Sequence, residues 1–206
     1  MLSYLMKAVF IRHAPSEANE RRIFAGSSET PLSKCGILAA RDCVSAHRSE
    51  RYDRCCCSPL SRARMTASIL FPGVSLVTDE RLTERGLGEW EGKDVDEMRQ
   101  RYPDAFMPSG KLHPLFTPPG GETIAAVAGR IVCFVRQQFD ADIDNFVAVT
   151  HNAVIRTLRS LIEDLPLQET FLFSEKNLQC RSYEINSRLM DKIHERREAI
   201  SRMLGK

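Results

Sequence analysis

Residues 7–13 read KAVFIRH and residues 146–151 read FVAVTH. Each is a compact apolar run, rich in β-branched and aromatic side chains, and each ends in histidine. An apolar run of strand length that does not alternate with polar residues fits a strand buried on both faces. Such strands belong to parallel sheets covered by helices on either side. In these sheets ligands bind beyond the carboxyl ends of the strands, where strand order switches direction. Two imidazoles delivered to that edge by separate strands are a sharper signal than either histidine alone.

Working outward, the pattern alternates strands with helices. Strands are expected at residues 5–11, 52–57, 74–77 and 145–150, with two more at 171–173 and 180–185. Helices are expected at 34–47 behind a Ser33 cap, from Ser58-Pro59 through 70, and at 93–102, 122–139, 153–162 and 188–206. The expected architecture is α/β: a three-layer sandwich whose mostly parallel central sheet carries helices on both faces. One domain spanning 1–206 accommodates all of it. Residues 93–121, with five prolines between Pro103 and Gly121, form an irregular excursion over the site, and 187–206 form a C-terminal helical tail.

Composition narrows the functional classes. The net charge of +2 is too small for nucleic-acid binding, and no basic stripe with interleaved aromatics accompanies it. No window approaches the roughly 18 to 20 apolar residues of a membrane span. The apolar start is interrupted by Lys7 and runs into Arg12-His13, which reads as a first strand and not as a signal peptide. Seven cysteines, three of them consecutive at 55–57, lack disulfide or zinc spacing and read as reduced thiols of a cytoplasmic protein. The basic tail is expected to pack against the domain or a second copy in a homodimer, not against a membrane.

Arg12 precedes His13, and Arg62 and Arg64 stand in the first turns of the helix after the second strand. Guanidinium forks match phosphate oxygens and stay charged at physiological pH. The stretches RHAPSEAN (12–19), SPLSRARMTA (58–67), LTERGLGEWEG (82–92) and VTHNAVIR (149–156) then occur in that order. Together they closely resemble the histidine phosphatase superfamily, the phosphoglycerate-mutase-like proteins, from about Lys7 to Arg159.

The resemblance implies roles position by position. His13 matches the histidine that becomes phosphorylated, Arg62 the phosphate-binding arginine of the SPLxRAxxTA helix, and His151 the second histidine. Glu84 matches the proton donor, and Arg12 joins the catalytic set. Ser16, Asn19 and Gly26 match substrate-facing positions, and Asn152 stands where glycine usually follows the second histidine. Ala14 likewise replaces a common glycine, which would matter only if its backbone were left-handed. No metal or cofactor is implied, because two guanidiniums and an imidazole can surround a transferring phosphoryl group.

The expected reaction is hydrolysis of a small phosphate monoester through a phosphohistidine on His13. A phosphoglycerate mutase is the alternative, although family mutases usually carry a longer insertion after the acid-bearing loop than residues 92–120 supply. A non-catalytic phosphate-binding relative would be expected to lack one of these groups, and all are present.

Overall fold

The computed structural model describes residues 4–47 and 50–204. Five strands form one sheet: β1 (Met6–Arg12), β2 (Arg54–Cys57), β3 (Leu76–Thr78), β4 (Asn145–Thr150) and β5 (Cys180–Ile185). Their order is β3-β2-β4-β1-β5, with β5 antiparallel to β1 and the other pairs parallel. The helices are α1 (Glu17–Glu20), α2 (Lys34–Asp42), α3 (Val44–His47), α4 (Ser61–Leu70), α5 (Val95–Arg101), α6 (Ile124–Asp140), α7 (Asn152–Glu163), α8 (Leu167–Phe171) and α9 (Ser187–Leu204).

The period-two geometry of the strands sorts their apolar residues into two cores. Met6, Ala8 and Phe10 of β1, with Cys56, Phe146 and Ala148, pack against α6, α7 and α9. Val9 and Ile11, with Cys55, Cys57, Val147 and Val149, pack against Ala63, Ala67 and Leu70 of α4. Consecutive apolar residues are thus divided between two covered faces, which is the three-layer arrangement expected. The three cysteines of β2 are buried packing residues, and burial pushes the Cys56 thiol up to about 12. Helix α9 adds Met190, Ile193 and Ile200 to the first core. The last two residues of the expected tail lie outside the described residues.

Strand register positions the site. Arg12 pairs with Thr150 across β1 and β4, and Cys57 pairs with Val149 across β2 and β4. Three chain segments therefore leave the same sheet edge side by side: His13 N–H donates to the Thr150 carbonyl at 2.9 Å and Ser58 N–H to the Val149 carbonyl at 3.0 Å. After β1 the chain proceeds toward β2 on one side, and after β4 toward β5 on the other. The β1–β4 seam is a switch point of the kind that opens a ligand crevice.

Several elements depart from the sequence expectation. Residues 171–173 are not a strand: Phe171 ends α8, entered through Pro166, and the Phe171 ring is buried in the first core while Phe173 is exposed. A short apolar run does not by itself distinguish a buried helical turn from a strand. The helix expected over 34–47 is divided at Cys43, which caps the end of α2 with its N–H donating to the Ala39 carbonyl before α3 begins at Val44. The helix expected from Ser58 starts at Ser61, because Ser58 remains at the sheet edge. The third strand is displaced to Leu76–Thr78, and the loop after it contains 3₁₀ turns at Glu80–Leu82 and Gly88–Trp90.

The proline-rich excursion has a small core of its own. Leu87, Trp90, Met98 and Ala105 are buried together with Phe24, Phe106 and Phe116 alongside. The buried Arg85 guanidinium fastens this segment by donating to the carbonyls of Phe116 at 2.6 Å, Glu122 at 2.7 Å and Pro114 at 3.2 Å. Gly88, at φ +54°, faces the Pro119 carbonyl so closely that a Cβ would stand 2.2 Å from its oxygen.

Phe10 is fully buried and meets Phe146 edge to face at 5.6 Å. Phe10→Ala is expected to cost about 3–5 kcal/mol in urea unfolding. A loss below about 1 kcal/mol would mean that β1 is not the centre of the core.

Candidate active site

The edge built by β1, β4 and β2 brings the candidate residues together. The rings of His13 and His151 lie 5.1 Å apart, centroid to centroid, and both are buried. A cavity of about 430 Å³ opens over them, lined by Arg12, His13, Ser16, Asn19, Gly26, Arg62, Glu84 and Asn152 among others. His151 lies just behind this wall, fully buried against His13. All nine residues singled out in the sequence therefore converge on one place.

Hydrogen bonds set the ring orientations. His13 Nδ1 lies 2.7 Å from the Ala14 carbonyl. A carbonyl only accepts, so Nδ1 carries the hydrogen and Nε2 keeps its lone pair. His151 Nε2 lies 2.8 Å from the Ser58 hydroxyl. That hydroxyl can donate to Nε2, which leaves Nδ1 as the N–H; among the described residues Nδ1 has no hydrogen-bond partner, nor does the buried Nε of Arg12. Buried donors without partners are rare in folded proteins and mark places built for a further acceptor.

Both imidazoles are held well below the ordinary histidine pKa. For His13 the causes are burial, then the positive charges of Arg12 and Arg62. For His151 they are burial, then Arg62, His13 and Arg12. The rings are neutral at pH 7.

Arg62 comes from the first turn of α4 and is buried, whereas Arg64 is exposed. Its guanidinium donates to the carbonyls of Gly26 at 2.7 Å and Ser28 at 2.8 Å. Gly26 holds its carbonyl there at φ +52°, and a Cβ would stand 2.2 Å from a carboxylate oxygen of Glu91. Arg12 donates to the Glu175 carbonyl. The buried Glu175 carboxylate is itself clamped by Arg159 at 2.9 Å and Arg181 at 3.0 Å. Glu84 accepts from the N–H groups of Arg85 at 2.9 Å and of Ala153, at the start of α7, at 3.2 Å. Its side chain is not paired with Arg81, which binds Asp79 instead. Glu84 thus faces the cavity beside the start of α7.

The two replaced glycines do no backbone harm. Among the described residues the positive-φ positions other than glycine are Arg22, Asp142, Asp164 and Leu178, so neither Ala14 nor Asn152 needs left-handed geometry. Ala14 N–H donates to Thr66 Oγ1 at 3.0 Å. Asn152 Oδ1 accepts from Glu175 N–H at 2.9 Å, joining α7 to the segment that holds Arg12. Ser16 and Asn19 form a reciprocal capping box on α1, which engages both side chains locally while they line the cavity.

Sequence reasoning missed Ser58 as the partner of His151, and Glu175, Asn177, Arg156 and Lys111 altogether. Asn177 Nδ2 donates to the His13 carbonyl at 2.8 Å and to Asn19 Oδ1 at 3.3 Å. Arg156 had a usable signal: it lies four residues after Asn152, hence on the same helix face. Nothing local distinguishes Lys111 or Asn177 from ordinary loop residues. Among the described residues no three His, Cys, Asp or Glu side chains form a group that could hold a metal. No described helix is long and apolar enough to cross a membrane.

Comparison with known proteins agrees with this geometry. The model of the histidine phosphatase superfamily, branch 1, matches residues 8–191. The chain belongs to that superfamily. It is 30% identical to a candidate phosphoserine phosphatase of Hydrogenobacter thermophilus, over 79% of this chain and 82% of the relative. It is 26% identical to a 2,3-bisphosphoglycerate-dependent phosphoglycerate mutase of a Methylobacterium species, over 76% and 80%. Among solved structures, Bacillus stearothermophilus YhfR superposes with a TM-score of 0.78 at 28% identity, covering 88% of this chain and 92% of that one.

A buried neutral imidazole makes the unfolded chain bind more protons than the folded one below about pH 6.5. The contribution of His13 and His151 to stability is intact above that pH and is lost as pH falls toward their depressed folded values. Urea unfolding between pH 7.5 and 5.5 should show stability falling with acidity, by up to about 1.4 kcal/mol per pH unit for each ring. The slope should flatten in His151→Asn; an unchanged slope would mean that His151 is not buried neutral.

Proposed function

We propose that the protein is a metal-independent phosphatase that hydrolyses a small phosphate monoester through a phosphohistidine on His13. The observation that carries this reading is the pair of buried neutral imidazoles beside Arg12, Arg62 and Glu84 at one cavity. Phosphoryl transfer asks the protein for a nucleophile, positive charge around the equatorial oxygens and a proton for the leaving group.

In the first step the Nε2 lone pair of His13 forms a bond to phosphorus as the ester P–O bond breaks. Glu84 passes a proton to the departing oxygen. Arg12, Arg62 and the Nδ1–H of His151 hold the charge spread over the equatorial oxygens. In the second step water attacks phosphorus, its proton returns to Glu84, and the N–P bond breaks to release inorganic phosphate. Depressing the basicity of His13 keeps its lone pair available at neutral pH and makes it the better leaving group in the second step. The guanidiniums supply the positive charge that a metal ion would otherwise provide. Seven free cysteines, three buried in β2, fit a reducing cytoplasm.

The mutase reading differs only in whether the phosphoryl group is returned to the bound product before water takes it. The excursion over the cavity is short, with α5 of 7 residues and one 3₁₀ turn at Pro103–Ala105, and this favours access of water. Incubation with 3-phosphoglycerate and a trace of 2,3-bisphosphoglycerate separates the two. Release of inorganic phosphate is expected, and fast isomerisation without it would make the protein a mutase.

His13→Ala should lower kcat/KM on p-nitrophenyl phosphate by about 10³-fold or more and remove the acid-labile phosphoenzyme. Turnover near the wild-type rate would refute the assignment. Glu84→Gln should slow alkyl phosphates far more than p-nitrophenyl phosphate, whose leaving group needs little protonation. Equal losses on both would remove Glu84 as the acid.

A further inference from the structure

We infer that Glu175 is a positioning residue of the reaction: it anchors a clasp, residues 175–179, that holds Arg12 and His13 where the transferring phosphoryl group meets them. The inference rests on the phosphatase reading and adds to it a residue that acts through Arg12. Glu175 does not line the cavity, although Ser174 before it and Asn177 after it do.

The segment between α8 and β5 meets the end of β1 at several points. Arg12 N–H donates to the Gln179 carbonyl at 3.1 Å, and Leu178 N–H donates to the Arg12 carbonyl at 2.9 Å. Asn177 Nδ2 donates to the His13 carbonyl at 2.8 Å, and the Glu175 carbonyl accepts from the Arg12 guanidinium. One short stretch thus holds both the backbone and the side chain of Arg12. That stretch includes Leu178 at φ +62°, a left-handed conformation that leucine rarely adopts. Such strain persists only where the surrounding structure over-determines it. Here the Leu178 side chain packs against the α4 core and against the cluster of Ala14, Leu32 and Ala40.

Glu175 fixes the stretch in place. It is 3% exposed, and each of its polar groups is engaged. Its N–H donates to Asn152 Oδ1 at 2.9 Å. Its carboxylate accepts from Arg159 of α7 at 2.9 Å on Oε1 and from Arg181 of β5 at 3.0 Å on Oε2. Its carbonyl is the one that receives Arg12. A buried carboxylate is tolerated only when it is paired and hydrogen-bonded, and here its two cationic partners come from different elements. Arg159 is held in turn by Glu163 at 3.0 Å, which also accepts from the Tyr183 hydroxyl at 2.8 Å. The anchor is therefore tied to both α7 and β5, on either side of the segment it steadies.

Arg12 needs such a tether because the site itself opposes it. Arg12 and Arg62 both flank the imidazoles, and like charges repel whenever no phosphoryl group lies between them. Burial lowers the pKa of Arg12, the charges of Glu84 and Glu175 raise it, and Arg62 lowers it again. The Glu175 carbonyl engages one terminal nitrogen of the guanidinium, while the buried Nε, without a partner among the described residues, is left for a phosphoryl oxygen. Charge stabilises a transition state only when it is already aimed at the atoms where charge develops. A guanidinium free to swing away from Arg62 would lose that aim.

The test is a double-mutant cycle in the full-length protein, read on kcat/KM for p-nitrophenyl phosphate and on the calorimetric affinity for inorganic phosphate. Glu175→Gln should lower kcat/KM and weaken phosphate binding, each by about tenfold or more. In an Arg12→Met background the same change should add less than about twofold, because the anchor no longer has a guanidinium to position. Losses that multiply in full, or a Glu175→Gln variant with wild-type activity and phosphate affinity, would overturn the inference. Arg181→Met removes one of the two clamps at the sheet edge and should repeat the pattern with a loss of about fivefold. That variant decides the question by the same cycle if Glu175→Gln does not fold. If no phosphate ester is turned over, the phosphatase reading fails by itself, and the cycle in phosphate affinity alone then judges the clasp.

Discussion

The parallel pairing of β1 with β4 is the constraint on which the site depends. With Arg12 opposite Thr150, the next residue of each strand is a histidine, and the two imidazoles become neighbours without any loop having to arrange them. Pairing of β4 with β2 brings Ser58 to the same edge, where its hydroxyl meets His151. A shift of one residue in either register would send every apolar side chain of the strand to the opposite face. The two cores that sandwich the sheet thus hold the spacing of the two imidazoles as well as the fold, and rigid strand ends are a more accurate platform than loops for groups that, in the proposed reaction, meet one phosphorus atom.

Around that edge the protein accumulates buried positive charge, which is unfavourable on its own. The folded chain manages it by giving each guanidinium carbonyl or carboxylate partners. Arg62 is supported by Gly26 and Ser28, Arg85 by the excursion, and Arg12 by Glu175, itself clamped by Arg159 and Arg181. The same cations and the same burial hold the imidazoles neutral. In the proposed reaction, nucleophile basicity and phosphate affinity therefore come from one arrangement and cannot be tuned separately. Asn152 belongs to this scaffold, since it fastens the start of α7 to Glu175.

Much of this was legible in the chain. Apolar runs ending in His13 and His151 announced buried parallel strands and their carboxyl edge, and the ordered motifs located Arg12, Arg62 and Glu84. The strand expected at 171–173 failed because three apolar residues carry no period, and Pro166 had already begun a helix. The excursion read as irregular, because its proline spacing hides the aromatic cluster around Trp90, whose members come from Phe24 to Phe116.

What the sequence determined alone is the part that depends on local pattern: apolar length, turn chemistry and the residue types that phosphoryl transfer needs. Tertiary structure decided everything that depends on distance between remote segments. It made Ser58 a partner of His151 and turned Glu175 and Asn177 into supports for Arg12 and His13. Those outcomes follow from strand order and from the path of the excursion, in which residues far apart in the chain share one desolvated space. A linear pattern does not encode which charges will find partners there.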